Sequence, residues 1–276
     1  MKILTPKSEE WPEVLNRLEK PPEVLFCKGN LDLLKKKCIA IVGTRDCTRY
    51  GLGVAKDFAR DLSSQGIVVV SGLADGIDTA AHGGSFPHTI AVLGNGINRF
   101  YPAHNQKLQE KIIAEGGLVI SEHEPDSSGS RYSYPLRNRI IAALSSAVIV
   151  IEADYKSGAL ITKRYAQELG IPVYAVPGNV NSHASKGTND IIKKDEAQII
   201  TSVKDLGLKK AKQRAVQVSV EQQSVLDILR KGELHFDDLI QALKLTPQKL
   251  STLLTNMELD GLIEKLAGNM YGRKEQ

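Results

Sequence analysis

The stretch CIAIVGTR, residues 38–45, decides the fold. Cys38 to Val42 are apolar without a break, and Gly43, Thr44 and Arg45 follow at once. A strand with one face in water alternates apolar and polar residues. A strand covered on both faces has no reason to, so a short unbroken apolar run marks the buried strand of a parallel sheet. The pattern recurs in IVVVS (67–71), TIAVL (89–93), LVIS (118–121), AVIVIE (147–152), PVYAV (172–176) and QIIT (198–201). Amphipathic stretches lie between them, VAKDFARDLSSQG, NQKLQEKIIAEGG, LRNRIIAALSS and GALITKRYAQELG among them, and several end in Gly, a helix stop. Alternation of strand and helix over residues 38–206 predicts an α/β domain with a doubly wound, mainly parallel sheet.

Residues 1–37 read as an N-terminal arm, a short helix and an extended segment around Pro21-Pro22, packed on that domain. Residues 207–220 read as a polar linker; its Lys209, Lys210, Lys212 and Arg214 form a charge run that solvation alone explains. Residues 221–276 read as a separate module. Helices cover SVLDILRKG and FDDLIQAL, and a third opens at Thr246-Pro247, a capping residue with Pro at the first helical position. The end, LIEKLAGNMYGRK, alternates around AGN as a hairpin does. Three helices and a hairpin predict a small winged-helix-like domain.

The composition narrows the class. Of 276 residues 42% are hydrophobic and 25% charged, which is globular. No apolar run approaches the roughly 20 residues that cross a bilayer, so no membrane partner is expected. MKILTPKSEEWPEVL has no apolar signal core, so export is not expected either. Cys27, Cys38 and Cys47 form no CxxC pair, which points to a reducing compartment without a disulfide framework. A formal charge of +4 suits an acidic partner but does not identify one.

In an open parallel sheet, ligands bind beyond the carboxyl ends of the strands. Gly43-Thr44-Arg45 follows the first strand, Ser71-Gly72 and then ADGIDTAAH the second, and Gly94-Asn95-Gly96 the third. A long segment to PLRNR follows the fourth, Ser157-Gly158 the fifth, and Pro177-Gly178 with a loop to Lys186-Gly187-Thr188-Asn189 the sixth. Glycines admit backbone amides close to an anion, helix N-termini add partial positive charge, and Arg45 offers a bidentate fork, so this edge suits several phosphates. Each signal has a plainer reading. Gly-Thr-Arg is also a turn with a surface arginine. SGLADGID is also a tight strand-to-helix turn capped by Asp75 or Asp78, and Ser157-Gly158 a simple helix start. Arg137, Asn138 and Arg139 open the helix YPLRNRIIAALSS (134–146), where basic residues oppose the dipole; that local conflict favours a functional reading over ordinary surface charge.

Enzyme signatures are missing. GLGVAK (51–56) lacks the third glycine of a dinucleotide fingerprint and comes too late after its strand, and there is no GxxxxGK[ST]. The six histidines show no metal-ligand spacing, and His82 reads as a packed or capping residue. No cofactor, metal or nucleophile is nominated.

Taken in order, IAIVGTR (39–45), SGLADGIDTAAH (71–82), TIAVLGNGINRFYPAHN (89–105), PLRNRIIAALS (135–145), SGALIT (157–162), VYAVPGNV (173–180) and GTNDII (187–192) resemble the DNA processing protein A family, DprA or Smf. The resemblance implies an extended Rossmann domain and a bacterial cytoplasmic protein, not an enzyme. It also implies a dimer that binds single-stranded DNA, protects incoming DNA during natural transformation and loads the RecA recombinase onto it. Carried over by motif, Gly43, Thr44 and Arg45 match the family's anion-binding turn. Ser71, Gly72 and Gly76 match its second loop, and Arg137, Asn138 and Arg139 its RNR motif. Ser157 and Gly158 match the helix start, and Gly187 and Thr188 the GTN loop, with Lys186 beside it. Two departures stand out. Lys163-Arg164 follows Thr162 where the family has a small residue, and Asp195-Glu196 stands where it has Gly-Ala.

On this reading single-stranded DNA lies across the strand ends. Amides of residues 43–45, 71–72 and 157–158 meet its phosphates, and Arg45, Arg137, Arg139, Lys163 and Lys186 supply charge. Tyr132, Tyr134, Phe100 and Tyr101 lie near the right loops for stacking. Competing readings are a nucleotide phosphoribohydrolase, for which PGNVNSHASKGTNDI lacks the paired glycines and the glutamate, and a winged-helix transcriptional regulator with a nucleotide-sensing domain.

Overall fold

A computed structural model describes residues 1–208, 219–230, 232–259 and 262–273. The chain divides into two compact units, Met1–Lys209 and Lys210–Gln276. The expected linker at 207–220 lies mostly at 209–218, outside the described residues.

The first unit opens with β1 (Lys2–Leu4) and β2 (Leu25–Gly29). The strand–helix series follows: β3 (Cys38–Gly43), α1 (Arg49–Ser64), β4 (Val68–Ser71), α2 (Ile77–Gly84) and β5 (Thr89–Leu93). Then come α3 (Gln106–Ala114), β6 (Leu118–Ser121), α4 (Ser133–Ala143), β7 (Val148–Ile151), α5 (Ala159–Glu168), β8 (Val173–Ala175), α6 (Lys186–Lys193) and β9 (Gln198–Ile199). These strands form one sheet in the order β1-β2-β6-β5-β4-β3-β7-β8-β9. From β6 to β9 every neighbouring pair is parallel, as the unbroken apolar runs require. The first 37 residues are more than an arm. β2 pairs antiparallel with β6, Phe26 facing Ser121, and β1 pairs antiparallel with β2, so the segment covers what would be an open sheet edge.

Successive strand residues point to opposite faces, and both faces are covered. Ile39 and Ile41 pack with Phe58 and Leu62 of α1 on one side. Ala40 and Val42 pack with Ile140, Ile141 and Ala143 of α4 on the other. One strand thus feeds two cores, which is the physical reason CIAIV has no polar residue. The chain leaves β3 through β4, β5 and β6, then returns to its other side with β7, so the order reverses between β3 and β7. A crevice opens outside the carboxyl ends of strands at such a switch point.

The second unit holds α7 (Val220–Leu229), β10 (Leu234–His235), α8 (Phe236–Leu243), α9 (Pro247–Leu259), β11 (Ile263–Lys265) and β12 (Met270–Arg273). Ser219 and Gln222 cap α7 reciprocally. Leu250, Leu254 and Met257, spaced along one face of α9, are buried with Val225, Leu239 and Tyr271. β11 and β12 form the expected hairpin, and β10 adds a third strand in the order β10-β12-β11. This is the winged-helix arrangement.

Candidate nucleic-acid interface

Adjoining clefts run along the strand ends of the first unit. The central one, about 400 Å³, is lined by Gly43, Thr44, Arg45, Asn138, Ser157 and Gly158. It lies outside β3 and β7, at the switch point. Thr162 forms part of its wall, and α5 starts at Ala159 on its rim. A second, smaller cleft lies outside β4 and β5 and is lined by Gly72, Asn95 and Tyr101. A third, of about 620 Å³, is lined by Arg45, Arg99, Arg131, Phe100, Tyr101 and Tyr134. Arg45 lines all three clefts. It is exposed and makes no ion pair among the described residues.

The second loop is built for rigidity. Ser71 is fully buried and its Oγ donates to the Ile41 carbonyl at 2.6 Å. The amide of Gly72 donates to Asp78 Oδ2 at 3.1 Å, and that of Ala74 does so at 3.4 Å. Asp78 therefore takes the amide of Gly72 that phosphate was expected to take. Burial pushes the Asp78 carboxyl up, against the pull of Arg137. Gly76 sits at the head of α2 with a φ of +75°, a conformation that favours glycine.

The RNR motif is where the structure most revises the sequence reading. Arg137 is 5% exposed. Its Nη1 donates to the Gly72 carbonyl at 2.5 Å and to that of Val92, and its Nε donates to Asn138 Oδ1 at 2.9 Å. The guanidinium ties the end of β4 to the end of β5, and burial lowers its pKa to about 10. A Cβ at position 72 would overlap that guanidinium, so Arg137 in this place requires glycine there. Arg137 still lines the central and second clefts and lends them field; its Nε and Nη1 are engaged, while Nη2 has no hydrogen-bond partner among the described residues. Asn138 braces the helix start of α5: its Nδ2 donates to the Gly158 carbonyl at 3.2 Å. Arg139 lines none of these clefts; it is buried in an ion pair with Glu122. The expected conflict with the helix dipole does not arise: α4 begins at Ser133, so Arg137 and Arg139 lie past its first turn, and internal acceptors hold them.

Lys163 and Lys186 also lie away from these clefts. Lys163 is held by Glu196, so the two departures from the family pattern form one ion pair. Asp195, where the family has glycine, adopts a φ of +55°. Lys186 is exposed at the start of α6. Gly187 and Thr188 are buried: the Gly187 amide donates to the Ala153 carbonyl at 2.7 Å, and Thr188 Oγ1 to that of Ser185 at 3.1 Å. The expected GTN loop is the first turn of α6, and these polar groups are engaged inside the fold. His82, fully buried, shares a 2.7 Å hydrogen bond with Thr89 Oγ1, and burial holds its pKa down to about 3. It is a packed histidine.

Sequence reasoning missed Arg99 and Arg131. Both come from irregular loops, where no periodicity fixes a direction. Phe100, Tyr101 and Tyr134 do line the third cleft, and the Tyr101 and Tyr134 rings stand 4.8 Å apart between centroids. Tyr132 lies under the Arg131 guanidinium, 4.7 Å from it, and does not line the cleft. Three arginines and three aromatic rings meet there with no carboxylate among the lining residues. Such a surface offers charge to a backbone and flat faces to bases. Among the described residues no cluster of His, Cys, Asp and Glu is placed to hold a metal, and no helix is long and apolar enough to cross a membrane.

The comparisons with known proteins agree with this architecture. The sequence profile of the DNA recombination-mediator protein A family matches residues 2–210, and that of the DprA winged helix domain matches residues 209–269. DNA processing protein DprA of Streptococcus pneumoniae is 42% identical over 199 residues, 71% of this chain and 70% of the relative. Its counterpart in Bacillus subtilis is 39% identical over 203 residues, 72% of this chain and 68% of the relative. The crystal structure of the pneumococcal protein superposes with a TM-score of 0.70 at 39% identity, covering 74% of this chain and 72% of that one. The DNA processing protein A of Helicobacter pylori, solved for its single-stranded DNA binding mode, gives 0.68 at 35% identity, covering 74% and 94%. The chain belongs to the DNA recombination-mediator protein A family, DprA or Smf.

Proposed function

We propose that this protein binds single-stranded DNA across the strand-end clefts with little sequence preference. The observation that carries the reading is the third cleft, with Arg45, Arg99 and Arg131 around Phe100, Tyr101 and Tyr134 and no acid in its lining. Phosphates meet Arg45, the Thr44 side of the turn and the α5 start at Ser157 and Gly158, while bases stack on the rings. The single-stranded DNA binding of the Helicobacter pylori relative supports the same ligand here. Family membership supports the rest: a cytoplasmic homodimer without cofactor or catalytic residue, which protects incoming DNA in natural transformation and hands it to RecA. The winged-helix unit suits protein contact at least as well as duplex DNA, since the α9 face offers only Lys249, Thr252, Thr255 and Asn256. No feature of the clefts favours the phosphoribohydrolase or the regulator reading.

The test is a titration of labelled oligothymidine at several salt concentrations, with a slope of about −0.7 expected per phosphate neutralised. Equal affinity for a duplex of the same length, or no salt dependence, would sink the reading. RecA nucleation on strands coated with single-strand binding protein tests the second part. Failure there with DNA binding intact removes the loading role alone.

A further inference from the structure

Glu152 is unexplained by the binding site. It follows β7, is 3% exposed, and holds a φ of +50°, the left-handed region that a non-glycine residue adopts at a cost. Its carboxylate reaches across the switch point to the head of α1. The Thr48 amide donates to Oε2 at 2.8 Å and Thr48 Oγ1 donates to Oε1 at 2.6 Å. Thr48 is the N-cap of α1, and its Oγ1 also accepts from the Gly51 amide. The Glu152 carbonyl accepts from the Thr44 amide at 2.8 Å, so one residue fixes both the anion-binding turn and the helix start. A Cβ at position 51 would overlap the carboxylate, so GLG at 51–53 leaves room for it. No acidic residue lies in the first turn of α1, and Glu152 makes no ion pair among the described residues. Its counter-charge is the helix N-terminus.

In a doubly wound sheet, the head of the helix after the first central strand, beside the switch point, is the place for the phosphates of a nucleotide. We infer that Glu152 is a built-in anion that fills this place and excludes nucleoside di- and triphosphates from it. The fold keeps the close-packed glycine and the helix N-terminus of a nucleotide site, and a carboxylate from the neighbouring strand closes it. A cleft lined by Thr44, Asp46, Cys47 and Thr48 adjoins the head of α1, but the Thr48 and Gly51 amides that a phosphate would take are already engaged, and anionic ligands are left with the Arg45 side of the turn. The exclusion holds whether or not the neighbouring clefts take single-stranded DNA.

Calorimetric titration with inorganic pyrophosphate and with ADP tests it on the full chain. Wild type and Glu152→Gln, which keeps the slot filled, are expected to bind both equally weakly, through the Arg45 side of the turn alone. Glu152→Ala opens the slot, and Glu152→Gly opens it while relieving the left-handed backbone. Both are expected to bind pyrophosphate about tenfold or more tightly than wild type, and to gain melting temperature with formate, which wild type does not. Should an opened variant be unfolded alone, the same anions must restore its melting transition. A folded opened variant that binds pyrophosphate no better than wild type overturns the proposal, as does failed rescue, or ADP binding by wild type that Glu152→Gln abolishes.

Discussion

Replacing Arg45 and Arg139 in parallel tests the proposed division between a residue that meets the ligand and one that holds the fold. Arg45 is exposed, unpaired among the described residues, and common to three clefts. Arg45→Ala removes one phosphate contact, so the salt slope falls in magnitude by about 0.7. A charge-assisted hydrogen bond contributes roughly 1.5–3 kcal/mol, and affinity for oligothymidine falls accordingly by about tenfold to a hundredfold. The folded state has no stake in Arg45, so its melting curve stays in place. Arg139 gives the opposite pattern. It is 6% exposed and its partner Glu122 is itself largely buried. Arg139→Ala leaves that carboxylate without its cation, at a cost of about 3–5 kcal/mol in stability. That is a large part of the roughly 5–15 kcal/mol that holds a domain together. Arg139→Lys keeps the charge and tests binding without emptying the site: the slope stays at the wild-type value. Fluorescence anisotropy at several salt concentrations and thermal unfolding supply the two readouts. A slope that drops for Arg139→Lys as it does for Arg45→Ala refutes the assignment, because a buried arginine bound to Glu122 has no phosphate to release.

Gly72→Ala drives a methyl into the Arg137 guanidinium and is expected to cost about 1–3 kcal/mol in thermal unfolding. Tyr101→Ala weakens oligothymidine binding by about 1–3 kcal/mol and leaves the salt slope unchanged. His82 has its pKa lowered from 6.5 to about 3 by burial, so below its unfolded value the unfolded chain binds a proton that the folded one refuses. Stability is therefore fully present above that value and is lost as pH falls, by about 2 kcal/mol between about pH 8 and about pH 5. Asp78, whose carboxyl burial pushes up, titrates with the opposite sign, so the difference between wild type and His82→Gln is the quantity to measure. Asp195→Gly relieves a φ of +55° and is expected to raise stability by up to about 1 kcal/mol in chemical denaturation.

The parallel sheet, and the edge at which its loops collect, were legible in the residues alone. Apolar runs without alternation require cover on both faces, and strands so covered form a parallel sheet whose loops open at one end. Gly43, Thr44, Arg45, Ser157 and Gly158, all lining the central cleft, were legible as loop residues beyond strand ends: the first three close β3 directly, and the other two come a short loop after β7. The two departures, Lys163 and Glu196, were legible only singly; their pairing joins α5 to the residues after α6. The RNR motif was legible only in part, for a physical reason. Arg137 and Asn138 do line the central cleft, but the helix starts at Ser133, so the dipole conflict read from the motif does not arise. The acceptors that hold the two arginines, the carbonyls of Gly72 and Val92 and the carboxylate of Glu122, lie 65, 45 and 17 residues away along the chain. Arg99 and Arg131 were missed for the converse reason, since irregular loops carry no period from which to read a direction. Which charges are spent inside the fold and which remain for a ligand is set by distances between residues far apart in sequence, and only the tertiary structure supplies those.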